Sequence, residues 1–328
     1  MAGEEIGIAT LGAGGIAGAH LKALAHIPEG RFVAAADTDL ERARARVREF
    51  GGARAFASFQ EAIACPGVDA VIVCLPHALH REAVLAAAAA GKHILVEKPM
   101  ATNLCDATAM VEAAEAAGVV LMVGQVLRFR ESNRVARQLI REGKIGRVRN
   151  ILRRRTSWFK DWVPWARDPA LCGGIALYGF GSHEVDMMLW LADSLPTRVY
   201  ADGEKVNPVW QDYDEVTLQL RLSCGAMGSL CLSLNNHRRT WECVVVGEEG
   251  TLVPETHYVE WNGQRLDAPM APDGGMGAQL REFLAAIREK RAPEASGRQV
   301  RDTTMVALEA ARLSLQRRQP VDAAAVGS

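Results

Sequence analysis

Residues 6–18 read IGIATLGAGGIAG, and this stretch decides the fold of the first half of the chain. Its apolar run breaks at a glycine turn that opens a helix. Gly12 and Gly14 permit a tight turn and a close approach of the backbone to a pyrophosphate, and Ala17 takes the third small position. Because the N-terminus of a helix attracts anions, the stretch predicts a site for a dinucleotide.

A second apolar run, RFVAAAD, ends in Asp37, which is followed by Thr38. The acid lies about 20 residues beyond the glycine turn, where it can accept a hydrogen bond from a ribose hydroxyl. A carboxylate at this point repels the additional phosphate of NADP, so we expect NAD as the cofactor. Arg42 and Arg44 follow a few residues later, and we assign them to the exposed face of a helix rather than to a phosphate.

The composition excludes several other kinds of partner. The chain has 328 residues, with 38 Lys and Arg against 39 Asp and Glu, so its charge gives no reason to expect nucleic acid or an anionic membrane surface. No apolar run approaches the roughly 18 residues that span a bilayer, and no charged leader precedes an apolar segment at the start. We therefore expect a cytoplasmic protein with a small-molecule substrate.

The cysteines indicate neither a disulfide framework nor a metal. Their number, seven, is odd, and none of them is spaced as CxxC. A zinc cluster or a set of paired disulfides would need closer and more regular spacing. We expect reduced thiols and no metal site.

The order of the predicted elements divides the chain into two domains. Up to residue 123, apolar strands alternate with helices, including Leu40–Phe50 and an alanine-rich helix that ends near Gly91. This alternation is typical of an α/β Rossmann domain, with a parallel sheet between helices. We assign residues 1–123 to that NAD(P)-binding domain.

Residues 124–328 follow a different pattern, which predicts an α+β domain with a mostly antiparallel sheet. Two hairpins are expected, with turns near residues 224–225 and 248–250. Helical spacing of apolar residues over 279–289 and 303–317 places two helices beside this sheet. The last residues, 322–328, are expected to be a frayed tail.

Five stretches of the sequence resemble one protein family. They are residues 12–17, CLPHALH (74–80), VEKPM (96–100), LRF (127–129) and GGIALYGFGSHEVD (173–186). On these motifs the chain resembles the Gfo/Idh/MocA family, which groups glucose-fructose oxidoreductase, inositol dehydrogenase and a rhizopine catabolism protein. The resemblance implies a Rossmann domain, an open-faced sheet domain, a nicotinamide cofactor and hydride transfer at a carbinol carbon of a sugar or polyol.

The motifs also imply a set of cofactor contacts around the predicted glycine turn. Pro76, His77 and His80 match positions where relatives support the nicotinamide half, and the alternative role for His80 is to cap its own helix. The predicted cofactor-binding residues are Gly12, Gly14, Gly15, Ile16, Ala17, Asp37, Thr38, Leu75, Pro76, His77, His80, Glu97, Lys98, Gln125, Trp165 and Arg167.

Lys98 is the first candidate for the chemistry. It follows a buried strand and lies between Glu97 and Pro99, which restrict its freedom at the edge of the sheet. On residue type alone it reads as a solvated loop cation, and the family's EKP motif instead implies a lysine that hydrogen-bonds the reacting oxygen. Glu97 then orients the lysine or the cofactor. A proline in such a tight turn can follow a cis peptide bond.

His183 is the second candidate. It opens an apolar helical stretch directly after a glycine-rich turn, with Ser182 as a possible cap and Asp186 one turn further on. A helix N-terminus disfavours a charged imidazole, so His183 suits a neutral base, with Asp186 orienting its ring. The residues alone fit a capping histidine equally well, and the resemblance implies the catalytic one.

One position departs from the family pattern. Many members carry an aspartate four residues before the histidine, where it completes a triad with the lysine, and this chain has Gly179 there. The neighbouring Tyr178 either supplies a phenol as the missing donor or packs in the core.

Candidates for substrate binding come from the second domain and from two residues already named. Aromatic residues at 158, 159, 162 and 165 suit either stacking on a sugar or an oligomer interface. The run Arg153 to Arg155 is read as strand surface or an interface rather than an anion site. The predicted substrate-binding residues are Lys98, Arg128, Trp165, His183 and Asn236.

These observations leave three functions open. The first is an NAD-dependent sugar or polyol dehydrogenase. The second is an NAD-dependent glycosidase that oxidises its substrate transiently, and the third is a non-catalytic NAD-binding sensor, which Gly179 keeps possible. The exposed face of the predicted sheet leads us to expect a homodimer or homotetramer.

Overall fold

A computed structural model describes residues 5–159 and 163–326. Over these residues the chain forms two compact units. The first combines Met1–Ala101 with Cys105–Val126 and Asp273–Gln299, and the second takes up the rest of the chain. No described helix is both long enough and apolar enough to cross a membrane. The described parts also contain no group of three or more His, Cys, Asp or Glu side chains placed to hold a metal ion.

The first unit contains six strands and the helices that follow them. Its strands are β1 (Ile6–Leu11), β2 (Gly30–Ala36), β3 (Arg54–Phe56), β4 (Ala70–Val73), β5 (His93–Val96) and β6 (Leu121–Val123). Its helices are α1 (Gly15–Leu24), α2 (Leu40–Phe50), α3 (Phe59–Ile63), α4 (His80–Ala89), α5 (Leu104–Ala116) and α9 (Met276–Glu289).

All six strands pair in parallel, in the order β3-β2-β1-β4-β5-β6. Strands β1 and β4 are completely buried, as their unbroken apolar sequences predict for a sheet covered on both faces. The chain order reverses between β1 and β4, and in such sheets ligands bind beyond the carboxyl ends of the strands at that point. The predicted Rossmann architecture is confirmed.

Helix α2 begins and ends at the residues that the sequence predicts, and a local signal marks each end. Asp39 caps it by accepting a hydrogen bond from the Arg42 N–H. The helix ends at Gly51, which has a φ of +76° and is therefore in the left-handed conformation typical of a glycine after a helix. The sequence supplies both signals, so the prediction of a helix over Leu40–Phe50 is confirmed.

Residues 273–299 do not belong to the domain that the sequence predicts for them. We expected every residue from 124 onward in the second domain, with the helix over 279–289 beside its sheet. Residues 273–299 instead belong to the first unit. Helix α9 packs against α1, and the Val123 N–H donates to the Ala295 carbonyl. Sequence spacing marks this helix as amphipathic and does not say which apolar surface it covers.

The second unit is built on nine strands. They are β7 (Val148–Trp158), β8 (Pro196–Glu204), β9 (Glu215–Leu222), β10 (Met227–Ser233), β11 (Asn235–Gly247), β12 (Thr251–Pro254), β13 (Tyr258–Trp261), β14 (Gln264–Asp267) and β15 (Val321–Asp322). The helices associated with them are α6 (Glu131–Arg141), α7 (Pro169–Cys172), α8 (Gly181–Ala192) and α11 (Val306–Arg317), and α10 (Gly297–Val300) lies at the boundary of the units.

These strands form one mixed sheet in the order β14-β13-β12-β11-β7-β10-β9-β8-β15. Every neighbouring pair is antiparallel except β10 with β7. Both predicted hairpins are present, as β9–β10 and β11–β12. Buried and exposed residues alternate along β9, so one face packs on helices and the other is open. The prediction of an open-faced, mostly antiparallel sheet is confirmed.

The end of the chain is more ordered than the sequence suggests. Val321 and Asp322 form strand β15, which pairs with β8 at the edge of the sheet. Residues 323–325 then form a single turn of 3₁₀ helix. The expectation of a frayed tail over 322–328 is therefore wrong for the residues up to 326, because a sheet edge is available to pair with them.

Candidate functional site

The glycine turn lies where β1 ends and α1 begins. Gly12 has a φ of +96°, and a Cβ atom on it would lie 2.4 Å from the carbonyl oxygen of Cys74. Gly14 and Gly15 face open space, since an added Cβ would have no atom within 4 Å. The first amide groups of a helix have no acceptor within the helix itself. The turn thus combines an open surface with unsatisfied N–H donors, which fits a pyrophosphate.

Two substitutions separate the structural role of this turn from its binding role. Gly12→Ala is expected to lower the free energy of unfolding by about 3 kcal/mol, because it adds strain at positive φ and overlap with backbone. Gly15→Ala lies in the helix with open space around its Cβ, so we expect unchanged or slightly higher stability of the protein without cofactor. The same methyl group should weaken NAD binding about tenfold or more, by filling the space that the pyrophosphate needs.

Urea unfolding and NAD titration of both variants test this prediction. Equal losses of stability in Gly12→Ala and Gly15→Ala would contradict it, as would wild-type affinity for NAD in Gly15→Ala.

Asp37 links the end of β2 to the glycine turn. Its carboxylate accepts hydrogen bonds from the Ala13 N–H at 3.0 Å and from the Asp39 N–H at 2.9 Å. The Arg42 guanidinium lies 3.6 Å from the same carboxylate. Arg42 is exposed on α2, as expected, and also lies 3.5 Å from the Asp39 carboxylate, while Arg44 pairs with Glu41. Each carboxylate oxygen has a second lone pair, which leaves Asp37 able to accept a hydrogen bond from a ribose hydroxyl.

The charge of Asp37 is expected to set the preference for NAD. Asp37→Asn keeps an amide oxygen for the Ala13 N–H and removes the negative charge that opposes a ribose phosphate. We expect the ratio of kcat/KM for NAD over NADP to fall about tenfold. Steady-state kinetics with both cofactors measure this ratio, and Asp39→Asn, two residues away, provides the control. An unchanged ratio in Asp37→Asn would contradict the assignment.

Arg46 supports the glycine turn from helix α2, and sequence reasoning did not single it out. Its guanidinium donates to the carbonyl oxygens of Ala13 and Gly14 at 3.1 and 3.2 Å. It also lies where a Cβ on Gly18 would be, with its carbon 2.9 Å from that position. Gly18 is the only sequence signal for this contact. Its lack of a side chain leaves space beside α1, and the sequence does not show that the Arg46 guanidinium fills that space.

The loop after β4 carries Leu75, Pro76 and His77 at the same edge of the sheet. His80 lies just below and is completely buried. Its ring nitrogens lie 3.0 Å from the Pro99 carbonyl oxygen and 2.9 Å from that of Leu75. Burial lowers the pKa of His80. The ring therefore joins two loops, and the predicted contact of His80 with the cofactor is wrong, as is its alternative role as a helix cap.

Glu97 and Lys98 follow β5, and the Lys98–Pro99 peptide bond is cis, as the sequence suggested. Glu97 is buried, and its Oε1 lies 2.8 Å from Nε2 of the fully buried His20 on α1. Its Oε2 accepts a hydrogen bond from the Lys98 backbone N–H. Burial opposes ionisation of Glu97, and the hydrogen bond with His20 together with the Lys98 charge nevertheless lowers its pKa. Glu97 thus fixes the turn that carries Lys98, which agrees with the orienting role.

Gln125 completes this edge of the parallel sheet. It follows β6 and is buried, while the preceding Gly124 N–H donates to the Val96 carbonyl. The sheet therefore brings together the glycine turn, Asp37, the loop after β4, the EKP turn and Gln125, as predicted for the carboxyl ends of parallel strands. Gly14, Thr38, Pro76 and His77 also lie in the segments that follow these strands, and Ile16 and Ala17 lie in the first turn of α1. Their contacts with the cofactor remain predictions.

Arg128 has a structural partner in the second unit. It is almost completely buried, and its Nε and Nη2 donate to the two carboxylate oxygens of Asp186 at 2.8 and 2.6 Å. Thr304 donates to the same carboxylate at 2.9 Å. Two predictions are wrong here. Arg128 does not present its guanidinium to a substrate, and Asp186 does not orient His183, because the two charges neutralise each other inside the unit.

His183 lies in the helix differently from the prediction. The helical path begins at Ile175 as a π-helical segment and continues through Gly181–Ala192 as α8. Ser182 is buried in the helix and does not cap it. His183 is therefore well inside a continuous helix, and the argument for a neutral imidazole from the helix N-terminus does not hold. Its side chain is partly exposed, which a proton acceptor requires.

Tyr178 belongs to the core. It is completely buried, and its phenol donates to Oε2 of Glu309 at 3.0 Å. Burial and the Glu309 carboxylate raise the pKa of Tyr178 far above its usual range. The structure therefore contradicts Tyr178 as a replacement for the missing aspartate. Gly179 is buried in the same π-helical segment and has no side chain with which to replace the aspartate.

The arginine run on β7 is divided between the two faces of the sheet. Arg154 is exposed on the open face and lies 3.6 Å from Glu242. Arg153 and Arg155 point to the helix-covered face, where Arg153 binds the buried Glu184. The expectation of strand surface or an interface is wrong for these two residues, because side chains alternate along a strand.

The aromatic and amide candidates lie nearby in the second unit. Trp158 stacks on His237 with ring centroids 4.3 Å apart. Asn236 donates from its amide to Thr156 at 2.9 Å and accepts from the Arg238 N–H, so its polar groups stabilise a bulge of β11. This does not fit the predicted contact with a substrate.

Trp165 and Arg167 form the short turn Pro164–Arg167 before two glycines of positive φ, and both are partly exposed. Their predicted contacts with cofactor or substrate remain predictions. The predicted aromatic position Trp162 lies outside the described residues.

The two units define a class of protein, a nucleotide-binding oxidoreductase with a Rossmann domain. Comparison with family models supports this assignment. Residues 6–125 match an oxidoreductase family with an NAD-binding Rossmann fold, and residues 133–253 match the GFO/IDH/MocA C-terminal domain. The chain belongs to the Gfo/Idh/MocA family. It is an NAD-dependent oxidoreductase that transfers hydride between a carbinol and the nicotinamide.

Individual relatives cover most of the chain. It is 29% identical to a 4-carboxy-2-hydroxymuconate-6-semialdehyde dehydrogenase from Sphingobium, over 90% of this chain and 94% of that protein. It is 30% identical to a myo-inositol 2-dehydrogenase from Thermotoga maritima, over 71% of this chain and 68% of that protein. Among solved structures, an aldose-aldose oxidoreductase from Caulobacter crescentus complexed with glycerol has a TM-score of 0.89 at 26% identity, covering 97% and 100% of the two chains.

Proposed function

We propose that the protein oxidises or reduces a hydroxylated substrate of the sugar or polyol class, with Lys98 and His183 as its catalytic residues. The observation that supports this most directly is the edge of the parallel sheet, where Lys98 follows β5 beside the glycine turn and Asp37. Relatives named as myo-inositol and levoglucosan dehydrogenases support the class of substrate.

The proposed roles follow from the chemistry of the two side chains. Bound NAD would supply the hydride acceptor for the carbinol carbon, and the residues at the edge of the parallel sheet would hold it. Lys98, a cation on a turn fixed by Glu97, donates a hydrogen bond to the reacting oxygen and stabilises its developing charge. His183 accepts the hydroxyl proton during oxidation and returns it during reduction.

The missing aspartate changes how His183 is held, without removing the base. Position 179 has no side chain, Tyr178 is committed to Glu309 and Asp186 to Arg128. None of these three positions can orient the imidazole as the family's aspartate would. The proposal therefore assigns proton transfer to His183 alone and does not require a triad.

A panel assay tests the function. The purified protein is incubated with NAD or NADP and a set of sugars, inositols, sugar acids and glycosides, and NADH absorbance is followed together with product masses. Net NADH with an oxidised product supports the dehydrogenase. Cleavage of a glycoside without net NADH would support the glycosidase that the sequence left open. Membership of an oxidoreductase family argues against the non-catalytic sensor, and the same panel would reveal it as NAD binding without any product.

We also propose that the protein is cytoplasmic and forms a homodimer or homotetramer. The open face of the nine-stranded sheet supports the second statement, since it exposes Leu152, Tyr200 and Met227. Sedimentation of the purified protein measures the oligomeric state.

A further inference from the structure

Two arginines of the second unit contact one buried carboxylate, and two further arginines lie close enough to these to interact with them electrostatically. We call them the arginine cluster: Arg130 precedes α6, Arg153 and Arg155 lie on β7, and Arg239 lies on the bulge of β11. The carboxylate is that of Glu184 on α8, which is completely buried.

Glu184 neutralises only part of this charge. Arg153 donates from Nε to its Oε2 at 2.6 Å, and Nη1 of Arg155 lies 3.8 Å from its Oε1. Oε1 accepts no hydrogen bond in the described residues, so Arg155 approaches Glu184 without a short contact. One buried acid therefore interacts with two arginines, and the other two have no acidic partner of their own among residues 5–159 and 163–326.

Aromatic rings take the place of the missing acids. The guanidinium carbons of Arg130 and Arg155 lie 4.5 and 4.3 Å from the ring centre of Trp241, and Arg155 also lies 5.1 Å from that of Phe180. Such contacts hold the planar groups in place and leave their N–H edges available for an acceptor. Nε of Arg130 is buried without a hydrogen-bond partner among the described residues.

Excess positive charge is the physical consequence. Burial lowers the pKa of Arg130, and the guanidiniums of Arg155, Arg153 and Arg239 lower it further. Two acids, Glu242 and Glu255, line a small pocket beside Arg130 and Arg153.

Neither acid cancels the excess. Glu242 is exposed and lies 3.6 Å from Arg154, which faces the other side of the sheet, and Glu255 is exposed. Arg239 is itself exposed and has no ion-pair partner in the part of the chain that the structure describes. Guanidiniums gathered in this way favour an anion between them.

The cluster lies beside the proposed catalytic histidine. His183 lies three residues after Phe180, and Glu184 lies four residues after Phe180. Residues at this spacing are neighbours on the surface of a helix. Arg155 contacts both Phe180 and Glu184. Arg155 therefore lies against the helical segment that carries His183, which directly precedes Glu184.

We propose that Arg130, Arg155 and Arg239 bind the anionic group, a carboxylate or a phosphate, of a hydroxylated substrate. This inference rests on the proposed function and narrows its substrate class to sugar acids or sugar phosphates. Arg153 acts as a positioning residue, because its charge is used in holding Glu184 under the cluster.

Calorimetric titration of the NAD-saturated protein tests the proposal. The ligands are D-glucuronate, D-gluconate, glucose 6-phosphate and, as the neutral counterpart, D-glucose. We expect at least one anion to bind about tenfold more tightly than glucose, and the preferred anion distinguishes carboxylate from phosphate. Raising the salt concentration should weaken that binding, since screening reduces the attraction between charges.

Variants assign this binding to the cluster. Arg239→Gln changes an exposed side chain, so we expect a folded protein with about tenfold weaker anion binding and unchanged glucose binding. Arg155→Gln should weaken it further, and thermal unfolding of that variant shows whether it is folded. Arg154→Gln is the matched control. Arg154 lies between Arg153 and Arg155 on β7, and its side chain points to the open face of the sheet.

Some outcomes overturn the proposal and leave the dehydrogenase function intact. These are anions that bind no better than glucose, or Arg239→Gln and Arg155→Gln variants that bind them like the wild type. Conversely, arginine-dependent anion binding without oxidation of any compound would support the anion site and contradict the proposed function.

Discussion

Replacing His183 by Ala is expected to lower kcat about 10²- to 10⁴-fold, because a positioned general base contributes an acceleration of that order. Lys98→Ala should produce a loss of similar size through the hydrogen bond and charge at the reacting oxygen. Both losses are measured by steady-state kinetics with the substrate that the panel identifies. NAD affinity should change little in His183→Ala, because the glycine turn and Asp37 do not involve this residue.

Tyr178→Phe is the matched control for these variants. The phenol donates to Glu309, which also accepts from Arg312, so removing it leaves that carboxylate with a partner. We expect kcat to remain within about twofold of the wild type. A loss as large as that of His183→Ala would restore Tyr178 as the proton donor, and a fully active His183→Ala variant would contradict the proposed mechanism.

The second large effect concerns stability. Asp186→Leu is expected to lower the free energy of unfolding by about 3–5 kcal/mol, because it leaves the buried Arg128 guanidinium without its counter-charge. Urea unfolding monitored by circular dichroism measures this loss. Asp322→Asn is the control, since it breaks an ion pair with Arg198 in which both side chains are more than half exposed. We expect a change below about 1 kcal/mol there.

A double variant identifies the cause of that loss. Arg128→Met combined with Asp186→Leu removes both charges and keeps apolar volume, so the double variant should recover a large part of the stability lost in Asp186→Leu. If the loss in free energy of unfolding of the double variant equals the sum of the losses of the two single variants, packing rather than an uncompensated charge causes the loss.

Three successive arginines on β7 have different roles in the folded protein. Arg153, Arg154 and Arg155 are indistinguishable in the sequence. On the strand they alternate, so that one binds Glu242 on the open face and the other two lie under helices. The run alone predicts a charged strand, and only the pairing of β7 with its neighbours decides which charges are buried.

Local signals alone determined the first half of the fold and its binding edge. Gly12 predicted a tight turn, the pattern of residues 40–50 predicted helix α2, and unbroken apolar runs marked buried parallel strands. Each of these depends on the residue itself or on neighbours a few positions away. For the same reason the positions of Asp37 and Lys98 at strand ends could be predicted.

The partners of buried polar groups were decided only by the tertiary structure. Asp186 lies one turn from His183 in the sequence and yet pairs with Arg128, 58 positions away, while Tyr178 pairs with Glu309, 131 positions away. A buried charge or phenol must find a partner wherever the packed chain supplies one. The packing partner of helix α9 could not be predicted either. The spacing of its apolar residues predicts a buried face, and only the folded chain decides that this face lies against α1.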